Sequence, residues 1–273
     1  MKIKSTPESD GRRTGVQSVE VGLSVLKVVA EANGPMTLAN VASATGMPRS
    51  QVHKYLTSFI RAGFVWQTRP GEPYSLGPYA LELGLAAMRR LEITQVAQET
   101  LNELRDELST TASLAVWGNR GPTIVQWAET PQLISQTVRL GTVFPVLTST
   151  LGLVFAAHLD RRLTEQIIEA ELNIPNGAAA RFGLRTWDDV ERRLEVVRRE
   201  GFVAADSVVA SGVTAIAAPV MNHAGVIVGV IGVAEQLGLL ESPKKDITVR
   251  ALRAGAGRLS ARLGAPARSD GAA

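Results

Sequence analysis

The stretch GMPRSQVHKYLTSFIRAGFV, residues 46–65, decides how the N-terminal part of the chain is read. Val52, Tyr55, Leu56, Phe59 and Ile60 recur at i, i+3, i+4, i+7 and i+8, the spacing of a face that a helix buries. Pro48 suits the first helical turn, where its missing N–H is not needed, and Gly63 supplies a C-terminal stop. The remaining face holds Arg49, Ser50, Gln51, His53, Lys54, Thr57 and Arg61, with donors throughout and no carboxylate. Alone, such a face is as readily a solvated surface as a DNA-reading one.

The flanking residues decide between the two. Val19, Leu23, Leu26, Val29 and Ala30 trace an apolar stripe along a preceding helix that Asn33-Gly34-Pro35 closes. Thr37 then suits an N-cap for a short helix carrying Leu38, Val41 and Ala42, which Gly46 ends. Two helices joined by a tight Gly-containing turn form a helix-turn-helix, whose second helix enters the DNA major groove N-terminus first. Arg49, Ser50 and Gln51 occupy that leading turn. After Gly63 the period changes: FVWQT, the turn RPGE and PYSLG form a β-hairpin with a Pro-Gly tip. The ordered set makes a winged helix, with Arg69 at the wing tip in reach of backbone or minor groove.

From these residues the chain resembles a known family. VQSVEVGLSVL (16–26), LANVASATGMPRSQVHKYLTSFIRAGFV (38–65) and YSLGPYALELG (74–84) are similar to the N-terminal domain of IclR-type bacterial transcription regulators. VRLGTVFPVLTSTLG (138–152), VRREGFVAAD (197–206) and GVTAIAAPVMNHAGVIVGVIGV (212–233) resemble that family's effector domain, in order and at similar spacing. The expected architecture is therefore α+β. It comprises an arm over 1–15, a winged helix-turn-helix domain over 16–77 and a linker or dimerisation helix over 78–91. A GAF-like effector-binding domain over 92–264 and a flexible tail over 265–273 follow.

Composition fits. The 273 residues suffice for two domains with separate cores, and 20% charged with 45% hydrophobic residues is ordinary globular usage. The absence of cysteine excludes disulfides, thiolate metal sites and cysteine nucleophiles. No signal-peptide core and no uncharged apolar run near ~18 residues is present, so a cytoplasmic protein with no membrane partner is expected. Through residue 90 eleven bases face six acids, a balance of +5, which leaves −2 of the whole-chain +3 for the remainder. A basic end on a slightly acidic body suits a polyanion partner, here double-stranded DNA with a palindromic or pseudo-repeated operator. GPYALELGLAAMRR (77–90) carries Leu81, Leu85 and Met88 along one side, apolar enough to pack on a second copy. The resemblance implies the same dimerising role, as a homodimer or a dimer of dimers.

Beyond residue 92 the pattern is a helix over 93–108, then ASLAVWG and TIVQWAE around an NRGP turn. LISQTVRL alternates as a third strand, and LTSTLGLVFAAHL and RRLTEQIIEAEL read as helices. TWDDVERRLEVVRREG is a helix capped by Thr186 and closed by Gly201. VTAIAAPVMN and VIVGVIGVAE are two buried strands, and a last helix holds Leu252, Leu259 and Leu263.

The three histidines, His53, His158 and His223, have no partner at a catalytic spacing, and no metal-ligand cluster stands out. No catalytic residue, metal or cofactor is expected. RLGTVFPVLTSTLG instead leads into a helix start whose free N–H groups suit a carboxylate or other acceptor. By resemblance this loop and helix start line the effector pocket. Thr150 and Leu151 match backbone donors, and Asp206 lies within one residue of a pocket acid. Ala215 stands where many members have cysteine, and Gly232 and Ala234 where some have serine. The chain departs from the family at Leu147 and Leu153, in place of frequent His and Lys, and at Val21, in place of a usual arginine. Phe144, Trp117 and Trp127 also fall where they can line the cavity. So apolar a lining predicts a mid-sized ligand with a planar or apolar body and at most one carboxylate or carbonyl, such as an aromatic or other largely apolar catabolite. Two other readings stay open: an enzyme-like domain fused to a DNA module, and a second domain that only oligomerises.

Overall fold

The structure, a computed structural model, describes residues 15–32, 34–89, 92–130, 138–206, 213–236 and 244–266. The expected N-terminal arm, most of LISQTVRL, the loop after Asp206 and most of the C-terminal tail lie outside these residues. The chain divides into two compact units with the boundary after Arg90.

The first unit contains α1 (Gln17–Glu31), α2 (Leu38–Thr45), α3 (Arg49–Arg61), β1 (Val65–Trp66), β2 (Ser75–Leu76) and α4 (Pro78–Arg89). Thr37 caps α2 by accepting from the Asn40 N–H at 3.2 Å. Gly46 (φ 68°) turns the chain left-handed and directs its N–H back to Ala42 O. Val25, Val29, Val41, Val52, Leu56, Val65 and Tyr74 form the core. Two expectations shift. On α1 the buried stripe is Gly22, Val25 and Val29, whereas Val19 and Leu23 are exposed. Gly22 fixes this phase: a Cβ there would lie 3.2 Å from Tyr55 Cδ1 and 3.4 Å from Phe59 Cζ, so the α3 aromatics need its bare backbone. On α3, Ile60 falls outside the core and is exposed. The hairpin gains a third rung, because Met36 and Tyr74 exchange backbone hydrogen bonds of 2.8 and 2.7 Å.

The second unit contains α5 (Glu92–Leu108), β3 (Thr111–Gly118), β4 (Gly121–Ala128), α6 (Thr150–His158), α7 (Arg161–Leu172), α8 (Ala178–Arg181), α9 (Trp187–Glu200), β5 (Val203–Asp206), β6 (Val213–Met221), β7 (Ile227–Gln236) and α10 (Lys244–Arg262). Its sheet is antiparallel in the order β4-β3-β7-β6-β5. Alternate residues serve opposite faces. Leu114, Ile216, Ala218, Ile231 and Val233 pack with α5 and α10, while Ala115, Ile124, Val203, Ala217 and Val230 pack with α6 and α9. Thr186 and Asp189 complete a capping box on α9, and Gly201 (φ 73°) ends it. The fold is thus an N-terminal winged helix-turn-helix followed by a helix-covered antiparallel sheet of GAF-like form.

Candidate functional sites: a DNA-reading helix and a helix start over the sheet

Burying Val52 and Leu56 turns the polar side of α3 outward. Arg49, Ser50, Gln51, His53 and Lys54 are all exposed, and Pro48 sits at the N-cap. Thr57 is half-buried and donates to His53 O at 2.8 Å, so its hydroxyl is bound to its own helix. Thr37 likewise spends its hydroxyl on the α2 cap. Arg49, Lys54 and Arg69 form no ion pair with the described residues, which leaves three cations available to phosphates. The wing tip is braced: Glu72 N–H donates to Arg69 O at 3.0 Å, and Gln67 Nε2 to Glu72 O at 2.7 Å. Gly71 (φ 91°) permits the tight turn that projects Arg69.

On α4 the stripe is exposed, with Leu81 at 66% and Leu85 at 45% accessible; Met88's side chain lies outside the described residues.

The effector-domain candidates gather at the N-terminal end of α6. Residues 141–144 run along the outer edge of β4, with Phe144 N–H donating to Pro122 O at 2.8 Å and Ile124 N–H to Thr142 O at 3.0 Å. Ser149 then caps α6: its hydroxyl donates to Pro145 O at 2.6 Å and accepts from Gly152 N–H at 2.9 Å. Gly152 is obligatory, because a Cβ there would lie 2.3 Å from Val146 O and 2.4 Å from Pro145 O.

The loop's amides are shared out in a way that the sequence reading missed. The Glu171 carboxylate, from α7, accepts from Val146 N–H at 2.6 Å and Leu147 N–H at 2.8 Å. Burial pushes this carboxyl above its ordinary value, and the two amides offset the rise only in part. Two of the expected free donors are therefore occupied from within the protein. The N–H groups of Thr150 and Leu151 make no hydrogen bond with the described residues. These are the donors left for an acceptor.

On the same face of the sheet lies a row of small residues. Ala205, Ala215, Ala234 and Thr111 are successive partners across β5, β6, β7 and β3. In the next row Val203, Ala217, Gly232, Ser113 and Trp127 stand side by side. A Cβ on Gly232 would lie 3.3 Å from Leu151 Cδ2, so Gly232 and Leu151 meet directly. Phe144, Trp117 and Trp127 are partly buried against this cluster. Leu147 and Leu153 are buried in it.

Asp206 is the one effector candidate that the fold does not bring to this face. It pairs with Thr214, whose hydroxyl donates to Asp206 Oδ1 at 2.8 Å, and Thr214 shares its face with Ile216. The side chain is thus on the α5–α10 side, in line with buried Glu235. One residue of register sends a side chain to the opposite face, and Asp206, one position from the pocket acid that the resemblance implies, faces away from α6 accordingly.

His158 contacts Val154 O through Nδ1 at 2.9 Å, within its own helix. Among the described residues no group of His, Asp or Glu is arranged to hold a metal ion, and no helix is long and apolar enough to cross a membrane.

A winged helix followed by a sensor-like sheet domain defines a DNA-binding regulator with an effector-binding domain. The profile described as "Bacterial transcriptional regulator IclR C-terminal" matches residues 85–261, and that of the "IclR helix-turn-helix domain" matches residues 18–69. The chain belongs to the IclR family of bacterial transcriptional regulators, and is a regulator rather than an enzyme. It is 27% identical over 226 residues to the Pca regulon regulatory protein of Pseudomonas putida, covering 81% of this chain and 75% of that protein. The crystal structure of Pseudomonas aeruginosa HmgR is similar at 35% identity with a TM-score of 0.56, covering 94% of this chain and all of that one. An IclR homologue from Microbacterium hydrocarbonoxydans, solved with 4-hydroxybenzoate, shares the fold at 20% identity, a TM-score of 0.72, and 90% and 98% coverage.

Proposed function

We propose that this chain is a cytoplasmic, dimeric or tetrameric regulator of a catabolic operon whose operator affinity is set by an aromatic acid. Arg49, Ser50 and Gln51 read bases from the leading turn of α3, His53 and Lys54 support that contact, and Arg69 holds the backbone from the wing. Leu81, Leu85 and Met88 form the seam between copies, with 16–77, 78–91 and 92–264 as DNA-binding, linking and effector segments.

The observation that carries the effector reading is the pairing of the open Thr150 and Leu151 N–H groups with the Ala215, Gly232 and Ala234 floor. The amides accept one carboxylate. The floor, with Leu147, Leu151 and Phe144, offers an apolar bed for a ring and few hydrogen bonds for a small polar acid. The 4-hydroxybenzoate bound by the Microbacterium homologue is of this chemical class.

Thermal denaturation of the full chain against benzoate, hydroxybenzoates and glyoxylate tests it. A ligand at 100 times its dissociation constant adds about 2.7 kcal/mol, so an aromatic acid raises the melting temperature and glyoxylate does not. The reverse result shows that the pocket is built for small acids.

A further inference from the structure

The α6 face of the sheet holds a donor that the described residues do not use. Trp127 Nε1 is buried and has no hydrogen-bond partner among the described residues. The ring belongs to the cluster around α6, and its strand register sets it directly opposite Ser113. Ser113 in turn donates to Gly232 O at 3.4 Å, a long bond that a better partner would displace. Gly232 contributes no side chain between Ser113 and Leu151, the first-turn residue of α6 whose own N–H is open. A buried donor left unmet is costly, so its persistence points to an acceptor supplied from outside the chain.

The other orphaned atoms lie elsewhere. Trp187 is covered by Arg161, whose guanidinium sits 4.0 Å from its ring, between α7 and α9. Gln126 is on the α5 side, tied to Thr94 O at 2.9 Å. Among the described residues, only Trp127 adds a free donor to the face that holds the open α6 amides.

We infer that Trp127 is a specificity-determining residue that selects effectors bearing a ring hydroxyl. This rests on the aromatic-acid reading above. The carboxylate takes the α6 amides, the ring lies over Ala215 and Ala234 beside Leu151, and the hydroxyl oxygen accepts from Trp127 Nε1 while its proton is offered to Ser113. A hydroxyl both accepts and donates, which matches an indole N–H beside an adaptable serine. A site that hydrogen-bonds a ligand hydroxyl discriminates strongly against the analogue lacking it.

The test is calorimetry of the full chain with benzoate, 3-hydroxybenzoate and 4-hydroxybenzoate, for the natural sequence, Trp127→Phe and Ser113→Ala. Proton–nitrogen spectra of the tryptophan indoles accompany it, with Trp127 assigned from its loss in Trp127→Phe. At least one hydroxybenzoate is expected to bind roughly tenfold or more tightly than benzoate. Trp127→Phe should remove that preference, read as the ratio of hydroxybenzoate to benzoate affinity, and Ser113→Ala should reduce it. The Trp127 indole signal should move with the hydroxybenzoate and not with benzoate. Aromatic acids that bind without a hydroxyl preference, or with an unmoved Trp127 signal, overturn this inference alone. If none of the three acids binds the natural chain, the aromatic-acid reading falls and this inference with it. Should Trp127→Phe fail to fold, the Trp127 indole signal is assigned by elimination from Trp66→Phe, Trp117→Phe and Trp187→Phe, and the natural chain still decides.

Discussion

Glu171→Ala removes the carboxylate that receives both the Val146 and Leu147 N–H groups, at 2.6 and 2.8 Å. Both residues are fully buried, at 0% and 1% exposure, so neither amide regains a solvent partner for free. An unmet buried donor costs about 1–3 kcal/mol, which puts the loss at about 2–6 kcal/mol for the pair. Water entering the vacated space moves the result toward the lower figure. Against a net stability of about 5–15 kcal/mol this is large. Glu171→Gln keeps one acceptor oxygen and buries no charge, so its loss should be less than half as great. The assay is urea unfolding of the full chain at pH 7 followed by tryptophan fluorescence. Three of the four tryptophans, Trp117, Trp127 and Trp187, report on the second unit. A Glu171→Ala protein within about 0.5 kcal/mol of the natural chain would refute the reasoning, as would equal losses in the two variants.

Glu235 is 5% exposed, its Oε2 has no partner among the described residues, and burial raises its carboxyl above the ordinary value while Lys244 pulls it partly back. Its folded value exceeds its unfolded one, so stability falls as pH rises between the two. Glu235→Gln should gain on the natural chain from pH 4 to 7, and a pH-independent difference in unfolding midpoint would exclude this. Gln51→Ala should cost roughly 1–3 kcal/mol on the cognate site and little on random DNA, whereas Arg69→Ala should weaken both and flatten the salt dependence. Binding titrations on both DNAs at several salt concentrations separate the two, and equal losses for Gln51→Ala would remove it from the base-reading set. Leu85→Glu places a charge in the proposed seam and should yield monomers that bind DNA poorly; an intact oligomer on sedimentation would reassign the seam.

Where local chemistry and long-range packing agree, the elements could be read directly. Thr186, Asp188, Asp189 and Gly201 bound α9 as their capping roles require, and NRGP closes β3 onto β4. The recognition helix was legible because Val52 and Leu56 leave the basic side no choice but to face outward. Features set by a distant partner were not. The α1 phase depends on Tyr55 and Phe59 pressing on Gly22, a contact with no local signal. The β5 strand is four residues long and forms because β6 offers it an edge. In the proposed effector site, Thr150 and Leu151 fall on α6 and Ala215, Gly232 and Ala234 on the strands beneath it, but the Glu171 clamp spans 24 and 25 residues and joins separate elements. Asp206 shows the finest limit, since a single step of register decides which face it serves.

The central claim is that occupancy of the α6 face controls operator binding. Fluorescence anisotropy of the full chain on DNA taken from beside its own gene, with and without saturating hydroxybenzoate, tests it most directly. The account predicts tight, sequence-specific binding that the acid shifts by roughly 5–150-fold in either direction, the usual range for coupling between two sites. It also predicts that Gln51→Ala abolishes the preference over random DNA. Equal affinity for the two DNAs, unchanged by an acid that binds the protein, would contradict it.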